Sequence, residues 1–83
     1  MPNYAAAYTG KGVALAELGY IEEAYKAFSF AIKFESDDPT AYFCQGLCLR
    51  QFGRIREAEK IEKQGNKISK RNESLSNKKA KFS

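Results

Sequence analysis

With 83 residues, of which 43% are hydrophobic and 29% charged, the chain has the make-up of one small domain, which excludes wholesale disorder and leaves no apolar run near a bilayer span. The net charge of +4 is unevenly placed: residues 1–38 hold three Lys against six acids, and residues 39–83 hold eleven Lys or Arg against four acids. Two cysteines and no histidine are too few for a structural zinc site of the usual four-ligand kind.

The N-terminal Met1-Pro2-Asn3-Tyr4 lacks the basic and apolar segments of a secretory signal, so the cytoplasm is the expected compartment. Asn3 can cap a first helix in which Tyr4, Tyr8, Leu15 and Leu18 recur at helical spacing. Gly19 ends that helix, and Glu22 and Glu23 suit the positive end of a second that starts at Tyr20 or Ile21. Ile21, Ala24, Phe28 and Ala31 or Ile32 form its apolar stripe as far as about Phe34. Ser36-Asp37-Asp38-Pro39 then breaks the chain. Asp38 is a good cap and Pro39 a good first residue for a third helix reaching Phe52, where Gly53 repeats the role of Gly19. Cys44 and Cys48, one turn apart within that helix, read as small apolar side chains, because a bridge there would strain disulfide geometry. A fourth helix carries Ile55, Ala58, Ile61 and Ile68, with Gly65-Asn66 a point where it could fray or end. Ser69 to Ser83 is expected to be a mobile basic tail or a helical extension, in which Leu75 and Phe82 continue the seven-residue spacing of Ile61 and Ile68.

The stretch Tyr8–Ala24 recurs 34 residues later as Tyr42–Ala58, with Tyr8/Tyr42, Gly12/Gly46, Leu15/Leu49, Gly19/Gly53, Ile21/Ile55 and Ala24/Ala58 identical in type. A fixed period of this size marks a repeat architecture in which each unit buries its apolar face on a neighbour. Gly12 and Gly46 lie inside helices and imply close helix approach, with Ala24 and Ala58 expected opposite them. Gly10-x-Gly12 lacks the strand, later glycine and lysine of a phosphate loop.

These residues and their period resemble the tetratricopeptide repeat family. The resemblance implies an all-α fold: two tandem helix-turn-helix hairpins at residues 3–36 and 37–68, stacked as a short right-handed solenoid, followed by a basic extension at 69–83. The second copy departs where Glu62 stands for the aromatic at Phe28 and Gly65 for Ala31, which suggests a terminal unit. The segment AFSFAIKFESDDPTAYFCQGLCLRQFGRIREAE is similar, more narrowly, to the tetratricopeptide-type chaperones of type III secretion translocators.

The family resemblance places Ala6, Thr9, Val13 and Ala16, then Thr40, Phe43, Leu47 and Arg50, on a concave recognition side, with Phe43 and Leu47 as apolar anchors. It implies a non-catalytic protein-interaction module that takes a peptide or partner helix in this groove. The clamp of Lys, Asn and Arg by which some members of the family hold acidic C-termini is replaced here by Thr9, Gly10, Val13, Phe43, Cys44 and Leu47. No histidine and no nucleophile beside a base argue against an enzyme, and no cofactor or small-molecule substrate is expected. Two repeats are fewer than a stable stack usually needs, so a homo-oligomer covering Tyr4, Tyr8 and Tyr20 is expected. Nucleic-acid binding by Lys67, Lys70, Arg71, Lys78, Lys79 and Lys81 is unexpected, since from sequence the bases form no convincing stripe and only Phe82 could stack on a base.

Overall fold

Four helices make up the described part of the chain: α1 (Tyr4–Glu17), α2 (Ile21–Lys33), α3 (Thr40–Gln51) and α4 (Ile55–Lys81). The computed structural model describes residues 3–34 and 38–81, with side chains as far as Ser74, and no strand occurs among them. The Ser36-Asp37 part of the break, the 36/37 unit boundary and Phe82 lie outside the described residues.

The duplication extends to individual hydrogen bonds. Gly19 and Gly53 both take positive φ, at 88° and 79°. After α1, the Gly19 N–H donates to the Ala16 carbonyl at 3.0 Å and the Tyr20 N–H to Leu15 at 2.9 Å. After α3, the Gly53 N–H donates to Arg50 at 3.0 Å and the Arg54 N–H to Leu49 at 2.9 Å. Both are Schellman closures, in which a left-handed residue satisfies the last carbonyls and turns the chain at once. The first donors of the following helices are Ala24, to the Tyr20 carbonyl, and Ala58, to Arg54, and both alanines are fully buried. Helix starts follow the expected chemistry: the Ala6 N–H donates to Asn3 Oδ1 at 3.0 Å, and the Thr40 N–H donates to Asp38 Oδ1 at 3.0 Å. Each such cap stabilises a helix by about 1 kcal/mol.

Helix α1 packs on α2 and α3 on α4, each pair joined by its glycine turn, and α2 packs on α3 to join the pairs. The core is centred on Phe28, the largest fully enclosed side chain, with Ala24, Ala31, Ala41 and Cys48 around it. One polar group is enclosed with it. Gln45 is 5% exposed and donates from Nε2 to Ser29 Oγ at 2.7 Å, while Ser29 Oγ donates to the Tyr25 carbonyl at 3.0 Å. This chain crosses from α3 to α2 and leaves the buried amide satisfied, which is what makes a glutamine tolerable there. The Tyr25 and Phe52 rings meet edge-on at 6.0 Å and add a second tie between the pairs.

Two sequence expectations are corrected, and one left open is decided. Ala24 and Ala58 do not face the interior glycines: a Cβ on Gly12 would lie 2.5 Å from Phe28 Cε1, and one on Gly46 would lie 2.8 Å from Glu62 Cγ. The close approach is real, but it admits a large side chain one turn further along the paired helix. Of the expected apolar positions of the first helix, Tyr8 and Leu15 pack against the core, whereas Tyr4 is 55% and Leu18 71% exposed and Ala5 and Gly12 are the buried residues. Helix α4 neither frays nor ends at Gly65-Asn66, the alternative left open there, and the helical extension expected beyond it runs to Lys81. Gly65 is buried, with the Phe43 ring and the Tyr42 Cβ each 3.1 Å from where its own Cβ would be. The contact offsets the roughly 1 kcal/mol that glycine costs inside a helix.

Candidate functional site

Side chains from three helices converge on one groove. Val13, Ala16 and Glu17 of α1 and Cys44, Leu47, Cys48 and Gln51 of α3 form its walls, with Ile21 and Phe28 of α2 lining it between them. The groove encloses about 250 Å³. Positions 44, 47, 48 and 51 share a face because α-helical neighbours recur at three and four residues, and Val13 and Leu47 are equivalents in the 34-residue repeat. Val13 is 36% and Leu47 60% exposed, so the lips present apolar surface to water. Burial pushes the Cys44 thiol up, and the Asp38 carboxylate adds to the shift. Burial also raises Cys48, helped by Cys44. Both cysteines are free and, so protonated, line the groove as weakly polar apolar groups.

Of the residues expected to form the recognition side, Val13, Ala16 and Leu47 lie on this groove and the other five do not line it. Ala6 sits in the capped first turn of α1. The Thr9 hydroxyl donates to the Ala5 carbonyl at 2.9 Å, within its own helix. Thr40 is occupied in the α3 cap, donating from Oγ1 to Asp38 Oδ1 at 2.6 Å. Phe43, expected as an anchor, is half-buried with its ring at Gly65 of α4. Arg50 also belongs to the α3–α4 contact: Nε and Nη2 each donate to a Glu62 carboxylate oxygen at 2.8 Å. The substitutions at 62 and 65 therefore serve packing within the second pair. Glu62 lies over Gly46 and holds Arg50, and Gly65 makes room for Phe43. The groove residues missed were Glu17, Ile21, Phe28, Cys44 and Cys48, of which the two cysteines carried a signal in their helical spacing with Leu47. A second apolar surface lies along α1 and α2, where Tyr8 stacks between Phe30 and Phe34 at centroid distances of 5.2 and 5.8 Å and Tyr4 adjoins Phe34 at 5.5 Å.

No family model, curated protein or solved structure matches the chain. Among the described residues, no three His, Cys, Asp or Glu side chains gather as a metal site would, and no helix is long and apolar enough to cross a membrane.

The Arg50–Glu62 pair gives a pH expectation. Its hydrogen bonds from Arg50 hold the Glu62 carboxyl below the usual glutamate range. A depressed folded pKa stabilises the fold above the unfolded pKa and stops doing so as pH falls through the folded one. Wild type should therefore exceed Glu62→Gln in urea midpoint near neutral pH, by a small margin because the pair is solvated. The margin should close as pH falls below the usual glutamate range, and added salt should narrow it at neutral pH. A margin unchanged by both would assign Glu62 to packing over Gly46 alone.

Proposed function

We propose that the chain is a non-catalytic protein-interaction module of the tetratricopeptide type, which seats a peptide or partner helix in the groove between α1 and α3. The observation that carries this is the pairing of Val13 with Leu47: equivalent positions of two repeats, both large and apolar, both left in water beside one groove. Matching Schellman turns, matching buried alanines and a side chain sixteen residues on from each interior glycine support the repeat assignment. A groove of about 250 Å³ lies below the usual range for whole small ligands, about 300–1,000 Å³, and suits one or two apolar side chains of a polymer. Glu17 and Gln51 at its edge offer a polar margin of the kind that fixes a helix or strand in register. A translocator-type secretion substrate, suggested by the narrower sequence resemblance, would be one such partner.

Selection of displayed peptides on the wild-type chain, followed by affinity measurement on Leu47→Gln, tests the groove. Leu47 is exposed, so the variant should keep its helical signal. Removing one apolar anchor that becomes buried on binding forfeits about 1.5–3 kcal/mol, so affinity should fall roughly ten- to a hundred-fold. Equal affinity for a folded variant would remove the groove as the site.

A further inference from the structure

Helix continuity through Gly65 places the basic residues of α4 in a pattern that was not visible in the sequence. Positions 56, 60, 63, 67 and 70 fall within an arc of about 80° when successive residues rotate by about 100°. All five, Arg56, Lys60, Lys63, Lys67 and Lys70, are exposed, and none has an ion pair among the described residues. The opposite side of the helix carries Ala58, Ile61, Gly65 and Ile68, all buried or half-buried. The row is therefore the solvent face of a helix held from behind. Most acidic neighbours point elsewhere: Glu62 is held by Arg50 and Glu57 is 3.8 Å from Arg54, while Glu59 lies at the edge of the row by the same rotation and offsets one of its five positive charges. Glu73 lies off the row by the same rotation. The row rises about 21 Å from 56 to 70 at 1.5 Å per residue.

We propose that this face of α4 binds the phosphate backbone of a nucleic-acid duplex, without reading its sequence. A straight, rigid row of unpaired cations complements a rigid polyanion that carries one charge per roughly 1.7 Å of axis. A single strand is the poorer ligand, because binding it relies on aromatic stacking and no aromatic residue occupies the row. A lipid surface is poorer too, because among the described residues Ile55 is the one exposed large apolar side chain on this helix, too few to anchor its face in the acyl boundary. The row holds Arg and Lys without the Asn or Gln that reads adenine, and a line of like cations matches the regular spacing of phosphates rather than any one base pattern. This surface is on a different helix from the α1–α3 groove and does not depend on it.

The test uses the full chain with a fluorescent duplex of mixed sequence and follows anisotropy as salt is raised. Neutralising about five phosphates should weaken binding on the order of several-hundred-fold between about 50 and 200 mM salt. Lys60→Gln/Lys63→Gln/Lys67→Gln/Lys70→Gln, made of residues with similar helix propensity, should retain the helical signal and lose at least tenfold at the lower salt. Lys11→Gln/Lys26→Gln/Lys33→Gln, which removes charge from α1 and α2, should stay within about threefold of wild type. Absence of duplex binding at the lower salt overturns the proposal, as does an equal loss in both variants, tighter binding to single strands, or binding to anionic phospholipid vesicles without binding to duplex.

Discussion

Phe28→Ala is expected to lower the unfolding free energy by about 3–5 kcal/mol and to leave much of the chain unfolded at 37 °C. Phe28 is 1% exposed, sits over Gly12 and belongs to a cluster that contains residues of both pairs, with Ala24 and Ala31 of α2 and Ala41 and Cys48 of α3. Alanine would remove the ring from a cluster that Tyr8, Leu15, Ile21, Tyr25 and Ile32 adjoin, and these could fill the space only by giving up their own packing. Small domains have about 5–15 kcal/mol in total, and this one of 83 residues buries a smaller share of its surface than larger domains do. For a domain this size each kcal/mol moves the melting midpoint by about 4–8 °C. The drop should therefore exceed about 12 °C by circular dichroism. Leu18→Ala is the control: Leu18 is 71% exposed, and surface changes of that kind stay within about 0.5 kcal/mol. A Phe28→Ala loss as small as the control's would show that the pairs are not joined through this ring.

Gly12→Val and Gly10→Ala, two residues apart on α1, are expected to shift stability in opposite directions. Gly10 has nothing within 4 Å of where a Cβ would lie. Replacing it gains the helix propensity of alanine, about 1 kcal/mol. At Gly12 the added Cβ would meet three atoms of the Phe28 ring at 2.5 to 2.8 Å. The ring is enclosed and cannot swing aside as a surface chain could. Overpacking of this kind costs about 1–3 kcal/mol, and valine adds γ-methyl groups and a lower helix propensity to the clash. Urea midpoints should rise for Gly10→Ala and fall steeply for Gly12→Val. Stabilisation by both would mean that α1 and α2 are further apart than the ring contact requires.

Local signals carried most of the fold. Asn3, Gly19, Gly53 and the Asp38-Pro39 pair act through neighbours within a few residues, so their roles can be read in the chain itself. The 34-residue period showed that Gly12 and Gly46 are sites of close approach. It could not show what approaches them, because Phe28 and Glu62 are chosen by the rotation and offset of the paired helix. Gly65 misled for the same reason: intrinsic propensity argues for a helix end, and a tertiary contact with Phe43 overrides it. The site was legible at three of the eight expected positions. Val13, Ala16 and Leu47 lie on the groove, whereas Phe43 and Arg50 turn toward α4 and are replaced on the wall by Cys44, Cys48 and Gln51. Positions 43 and 44 differ by about 100° of helix rotation, which is the difference between facing α4 and facing the groove. The charge row on α4 is not legible while a break at Gly65-Asn66 stays open, since a row needs a single axis.

The most direct measurement is amide chemical-shift mapping of the isotope-labelled chain titrated with a peptide selected on it. Binding in the groove should move Val13, Ala16, Leu47 and Gln51 together, with Ala6, Thr9 and the exposed face of α4 little changed. Shifts gathered instead on Tyr4, Phe30 and Phe34, or on α4, with Val13 and Leu47 unmoved, would contradict the groove as the recognition site.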